Sequence, residues 1–212
     1  MRSARLLLAS LLGLATMTAA AVAEPVTFEI DPGHSQVAFS IRHFFSKVPG
    51  RFNEFEGKIL YDDKDPSKAS VDVTIKTASI DTHNEKRDNH LRSGDFFAAD
   101  SFPTITFKST KVTPGADGKM KIEGQLTIRG ITRPVTLDAE FLGSGTMGPG
   151  KIAGWEATTT IYRKEFNVSW DRVLDQGGTM LGDDVAILIG VEARTPRPPA
   201  PAAGAAPPAT KK

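Results

Sequence analysis

The chain has 212 residues, of which 26 are Lys or Arg and 25 Asp or Glu, giving a net charge of +1, and it contains no cysteine. So even a balance, without a basic block, gives no support for nucleic-acid or anionic-membrane binding. The missing cysteines exclude thiol catalysis, thiolate metal sites, disulfides and redox exchange.

The first segment reads as an export signal. Arg2 and Arg5 precede an apolar stretch from Leu6 to Met17, and Ala21-Val22-Ala23 offers the small-x-small pattern of a cleavage site just before Glu24. Residues 1–23 are therefore expected to be removed, which takes away two Arg and no acid and turns the net charge from +1 to −1. No later run reaches the roughly 20 apolar residues of a spanning helix. The expected location is the periplasm. An exported protein without disulfides must be held by its core, and about 170 ordered residues can bury one.

From Glu24 to Arg194 apolar residues alternate with polar ones, the signature of strands with one buried face. In chain order, one face carries Val37, Phe39, Ile41 and His43, then Val71, Val73 and Ile75, then Ile105 and Phe107. Met120, Ile122, Gly124, Leu126 and Ile128 follow, with Lys121, Glu123, Gln125 and Thr127 between them. Val135, Leu137, Ala139 and Phe141 come next, then Trp155, Ala157, Thr159, Ile161 and Arg163, and finally Val185, Ile187, Ile189 and Val191. Phe52–Tyr61 is a less regular strand. Turn signals at Asp31-Pro32-Gly33, Asp65-Pro66-Ser67, Pro114-Gly115, Gly130 and the Gly143–Gly150 stretch separate these runs. The segment Thr82–Phe97 breaks the alternation and predicts one short polar helix near residues 83–93, which is expected to cross between strands or cover a barrel end. From Thr195 the chain is almost entirely Pro, Ala and Gly, with nothing large to bury, and reads as a disordered tail.

The fold class is thus all-β, with the choice between a two-sheet sandwich and a closed barrel. Strands of about nine residues reach roughly 30 Å. That length favours an antiparallel closed barrel of about eight strands, a size that encloses one small ligand. The inward faces would then line the interior with Phe39, Ile41, Phe107, Leu126, Ile128, Phe141, Trp155 and Ile161. His43 and Arg163 fall on the same faces, where a polar group needs a partner or a ligand.

Several apparent motifs carry no chemistry. Gly143, Gly145 and Gly148 spell a dinucleotide fingerprint, but they join two strands with no helix to follow, so a flexible hairpin loop is expected. Asp62, Asp63 and Asp65 lack the Gly and closing Glu of a calcium loop, and Asn167-Val168-Ser169 is only a formal glycosylation acceptor. His83 and His90 share a helical face but lack a third ligand, so no metal is expected. His34 reads as a turn or capping residue without an acid in reach.

Taken together, these residues resemble the YceI-like family of bacterial periplasmic, polyisoprenoid-binding proteins, from about Thr27 to Ala193. The resemblance is carried by His34-Ser35 and the strand to His43, Gly50-Arg51-Phe52 and Phe55-Glu56-Gly57. It continues through Ser79-Ile80-Asp81-Thr82, Arg87-Asp88, His90-Leu91, Asp95-Phe96-Phe97, Phe102-Pro103 and Ile105-Thr106-Phe107. Gly124, Leu126-Thr127-Ile128-Arg129-Gly130, Pro134-Val135, and Arg163 with Phe166 complete it, while Asn167 stands where the family has Gly. The resemblance implies a lipocalin-like barrel holding a prenyl quinone or prenyl phosphate against apolar walls, with no cofactor and no catalytic set. The protein is expected to carry or buffer that lipid without chemistry, and a homodimer stays open. Two other classes compete. A hydrolase or isomerase in the cavity would need an acid–base pair, for which only His43 and Arg163 are candidates. An outer-membrane barrel would need aromatic girdles, yet the chain has only two Trp and two Tyr.

Overall fold

The computed structural model describes residues 25–172 and 179–196; the expected signal segment and the tail from Arg197 lie outside the described residues. Eleven antiparallel strands form one sheet. They are β1 (Val26–Ile30), β2 (Gln36–His43), β3 (Ser46–Phe52), β4 (Phe55–Tyr61), β5 (Ser70–Lys76), β6 (Ile80–Asp81), β7 (Thr104–Pro114), β8 (Lys119–Ile128), β9 (Ile131–Met147), β10 (Gly150–Tyr162) and β11 (Leu181–Arg194). β1 and β2 lie end to end along β11, β4 and β3 pair with them in turn, and β5 and β6 continue along those two. The segments therefore act as eight staves, and the pairing of Ile30 with Ala193 closes the ring. A closed ring leaves no free sheet edge over the paired length.

Alternation sets which face turns inward. Along β8 the odd positions Lys119 to Glu123 are exposed, while Met120, Ile122, Gly124, Leu126 and Ile128 are buried. A bulge between Ser109 and Lys111 reverses the phase of β7, so that Val112 points inward after Ile105 and Phe107. The Ser109 hydroxyl accepts the Val71 N–H there at 2.8 Å. The outer face carries cross-strand ion pairs, Lys121 with Asp138 at 2.5 Å and Lys111 with Glu123 at 3.5 Å. Exposed pairs contribute little stability. They mark the face that meets water, and charges there do not fit the apolar outer band that an outer-membrane barrel needs.

The turns follow the backbone demands of tight hairpins. Arg129 and Gly130, at φ 51° and 71°, give the two-residue turn between β8 and β9 with both central residues left-handed. The expected Gly143–Gly150 loop is instead almost all strand, because Gly143 pairs with Gly154 and Gly145 with Ile152, leaving only Gly148 and Pro149 to turn.

The two ends of the barrel differ. One carries the start of β1 and the turns before β5, β8 and β10. It is plugged by Phe28, Tyr61, Phe141 and Trp155, whose ring centroids lie 4.8–5.6 Å apart in four contacts. The other carries the β2–β3 hairpin tip, the β8–β9 turn, the chain between β10 and β11, and the helix α1 (Glu85–Arg92). Asn84 caps α1 through its side-chain oxygen, which accepts the Arg87 N–H at 3.0 Å. Arg129 ties this cap together, donating to the carbonyls of Gly94, Phe96 and Asn167 at 2.6–2.9 Å. Asn167 has φ 57°, a left-handed position that Asn tolerates well.

Candidate functional site

Between the aromatic plug and the capped end the barrel encloses a cavity of about 560 Å³. This lies within the 300–1,000 Å³ range usual for small-molecule sites. Its wall is apolar and comes from most of the staves. Of the residues expected from sequence, Phe39, Ile41, His43, Phe107, Leu126, Ile128, Ile161 and Arg163 line it. Phe141 and Trp155 do not: they point inward as expected but sit lower, in the plug.

Two wall aromatics rest on glycines. A Cβ on Gly50 would lie 2.3 Å from the Phe39 ring, and one on Gly124 would lie 2.4 Å from the Phe107 ring. Each ring thus lies flat against a bare backbone, and the space it would otherwise fill stays open.

Only three of the lining residues, Asn84, Lys86 and Arg87, are exposed. They place the opening at the first turn of α1. His43, Val48 and Met180 stand on the same end of the cavity, and among the described residues no Asp or Glu lines it. Arg87 donates to the Thr82 hydroxyl and carbonyl at 2.7 and 2.8 Å, holding its guanidinium at the rim. His90 is braced by Asp95 at 2.8 Å and packs edge-on against Phe96 and Trp170. His83 precedes the helix at φ 58° and shares no face with His90, so the expected helical pairing of these histidines does not occur.

Arg163 is not the free donor its place on the inward face suggested. It is buried, and it donates to the carbonyls of Gly182, Val168 and Trp170 at 2.7–2.9 Å. Its remaining nitrogen meets Asp183 at 3.1 Å and Asp171 at 3.4 Å. The fork is spent on clamping the chain after β10 to the start of β11. His43 borders the cavity with its ring edge-on to Phe44 at 4.8 Å, and among the described residues its side chain meets no carboxylate.

His34, expected to have no acid in reach, has two. Its Nδ1 lies 3.1 Å from Asp31 and 3.8 Å from Glu192 on the outside of the barrel. The His34 hydrogen bond, with the Gly33 N–H and Arg194, holds the Asp31 carboxyl below the usual carboxylate range. These three ligand-type side chains come within 4.8 Å of one another. The Arg194 guanidinium already sits 2.9 Å from Asp31 and 3.1 Å from Glu192, so the cluster is neutralised from within and does not suit a cation.

Residues 28–193 match the model of the YceI-like domain. The chain belongs to the YceI-like family. It is 42% identical over 168 residues to a UPF0312 protein of Staphylococcus aureus (strain N315), covering 78% of this chain and 95% of that one. Among solved structures it is similar to a Campylobacter jejuni YCEI protein, at 28% identity and a TM-score of 0.63, over 89% of this chain and 100% of that one. A polyisoprenoid binding domain from Saccharophagus degradans, implicated in plant cell wall breakdown, has a TM-score of 0.57 at 11% identity, over 81% and 99% of the two chains, a likeness of fold.

Within this YceI-like barrel, the rim is what sequence reasoning missed. Helix α1 covers a barrel end, one of the two roles expected for it, but the side chains that form the opening there, Thr82, Asn84, Lys86 and Arg87 with Met180, were not among the expected site residues. The available signal was Leu91 with Phe96 and Phe97, apolar residues in a polar segment, which show that the helix covers something.

Proposed function

We propose that this protein is a carrier that holds a polyisoprenoid lipid in the barrel cavity, outside the cytoplasm, and performs no chemistry on it. The observation that carries this reading is the enclosed apolar space of about 560 Å³, open at one end beside Lys86 and Arg87. A long hydrocarbon gains roughly 25 cal/mol per Å² of apolar surface removed from water, and such a wall needs no specific contacts to do so. The polyisoprenoid-binding neighbour from Saccharophagus degradans supports the same ligand class. A quinone ring or a phosphate has oxygens that must keep hydrogen-bond partners, and the basic rim offers them at the mouth, where water also reaches. The head is therefore assigned to the mouth and the chain to the interior.

Export follows from the signal pattern of residues 1–23, and intact mass of the exported protein should begin at Glu24. The decisive test is native mass spectrometry of protein purified from its own host, followed by solvent extraction. A stoichiometric isoprenoid is the expected result. An empty barrel, or one filled with a hydrophilic metabolite, would end this reading.

A further inference from the structure

We propose that the tip of the β2–β3 hairpin, Arg42 to Lys47, is a wedge that seats the cavity mouth on an anionic lipid bilayer. This surface goes beyond the carrier reading, since it concerns where the barrel opens and not what it holds.

Three independent observations meet at this tip. Phe45 has a relative exposure of 105%, so its whole ring stands in water. Phe44 turns the chain at φ 50°, a left-handed position where Asn or Gly is the ordinary choice and a bulky side chain is an outlier. The hairpin therefore carries a phenylalanine at a first central position where turn chemistry favours Gly, and a second phenylalanine beside it that packs against nothing. The third observation is position. His43 and Val48, on either side of the tip, both line the cavity, and the Phe44 N–H bonds the carbonyl of Met180, another lining residue, at 2.9 Å.

The charge around the tip selects the partner. Arg42 and Lys47 flank the two rings, and Lys86 stands exposed on the rim of the same mouth. Among the described residues none of the three pairs with a carboxylate; Arg42 donates to the Phe44 carbonyl at 3.1 Å, bracing the turn. An aromatic wedge ringed by unpaired cations fits a surface that is apolar within and anionic at its headgroups.

The test uses the exported full chain and sedimentation with vesicles containing no isoprenoid. One set contains phosphatidylglycerol with phosphatidylethanolamine, and the other only phosphatidylcholine. The protein should partition onto the first set and weakly onto the second. Phe45→Ser should lower partition about tenfold or more, given the burial of one Phe. Lys47→Gln with Lys86→Gln should lower it by about fivefold per charge. Phe44→Gly with Phe45→Asn should also abolish partition while leaving the melting temperature equal or higher, because Gly accepts the left-handed φ at position 44, and this separates docking from folding. A Phe45→Trp reporter should shift its emission to the blue on the anionic vesicles.

No partition of the wild type, equal partition of the Gly-Asn variant, or indifference to headgroup charge would each overturn the proposal. So would a self-association that depends on Phe45, which would give the tip to a second copy of the chain. Cargo extracted from the same preparations reports separately on the carrier reading, so either idea can fail without the other.

Discussion

Arg163→Ala is the most discriminating substitution within the barrel, because two roles for this residue predict opposite outcomes. If its fork served the ligand, removal would empty the cavity and spare the fold. The geometry assigns it to the fold. The change leaves three carbonyls and the carboxylates of Asp171 and Asp183 without their partner at a buried position. Hydrogen bonds to a charged group contribute about 1.5–3 kcal/mol each, but they act as one unit and do not sum. Breaking a buried ion pair from one side costs about 3–5 kcal/mol, and we take that as the magnitude here. Against a total stability of about 5–15 kcal/mol this is severe. For a domain of this size each kcal/mol moves the midpoint by about 2–4 °C, so a fall of roughly 6–20 °C is expected. Thermal and urea unfolding followed by circular dichroism measure it, with cargo extracted from the fraction that remains folded. Arg163→Lys should recover little, since an ammonium cannot reach carbonyls on both segments at once. A variant that melts within a degree or two of wild type but purifies without lipid would refute the clamp.

Gly124→Ala should reduce cargo yield and cost about 1–3 kcal/mol, because the new methyl would drive Phe107 into the cavity and also meet the Lys108 carbonyl at 2.7 Å; adding Phe107→Leu should restore cargo but only part of the stability, and unchanged cargo in the single variant would show that the ring has room elsewhere. Phe107→Asp should destabilise the barrel and expel lipid, whereas Gln125→Asp, on the outer face opposite Lys108, should do neither; equal effects by melting and extraction would mean that the two faces are not distinct. Burial in the plug, reinforced by Asp63 and Asp62, pushes the Tyr61 hydroxyl above its ordinary value of 10.0. The unfolded chain then ionises first, so stability is fully present below about pH 10 and falls as pH rises above it; ultraviolet titration should show a late phenolate that Tyr61→Phe removes together with part of the alkaline loss. Stripping the lipid in denaturant and refolding should lower the melting temperature, and adding back a long-chain prenol should restore it, by mass action on the folded state.

The alternation of β8 was legible residue by residue, since each polar side chain between Lys119 and Gln125 faces water and each apolar one faces the interior. The same reading put Phe141 and Trp155 on the correct face but in the cavity wall, because a period of two reports the face of a strand and not the height along the barrel. Height depends on stagger, which belongs to the pairing of strands distant in sequence, such as Phe141 with Trp155 across β9 and β10. Arg163 failed for a related reason. Its partners Val168, Trp170 and Asp171 lie in irregular chain just beyond it, and Gly182 and Asp183 at the start of β11, and no periodicity says where such segments fold back. The glycines Gly143 and Gly145 were read as a loop because glycine is weak in strands, and the pairing between β9 and β10 overrode that local preference. That the helix could cover a barrel end was legible, but the residues of the rim were not, because α1 is polar nearly all round and the opening beneath it is made by other elements.

The hollow centre sets the energetic problem of this fold. The apolar side chains around this space of about 560 Å³ are not buried against one another, so part of the burial that a filled core would supply is forgone. An apolar occupant would restore that burial, which links cargo to the stability of the barrel. The asymmetric ends then decide how exchange can proceed. The plug of Phe28, Tyr61, Phe141 and Trp155 could open only by breaking four ring contacts and the closure between β1 and β11. At the other end the rim is made of α1 and a hairpin tip, elements that touch the barrel through few strand pairings. Exchange through the rim disturbs the fewest backbone bonds, and the exposed Phe45 stands at that same end.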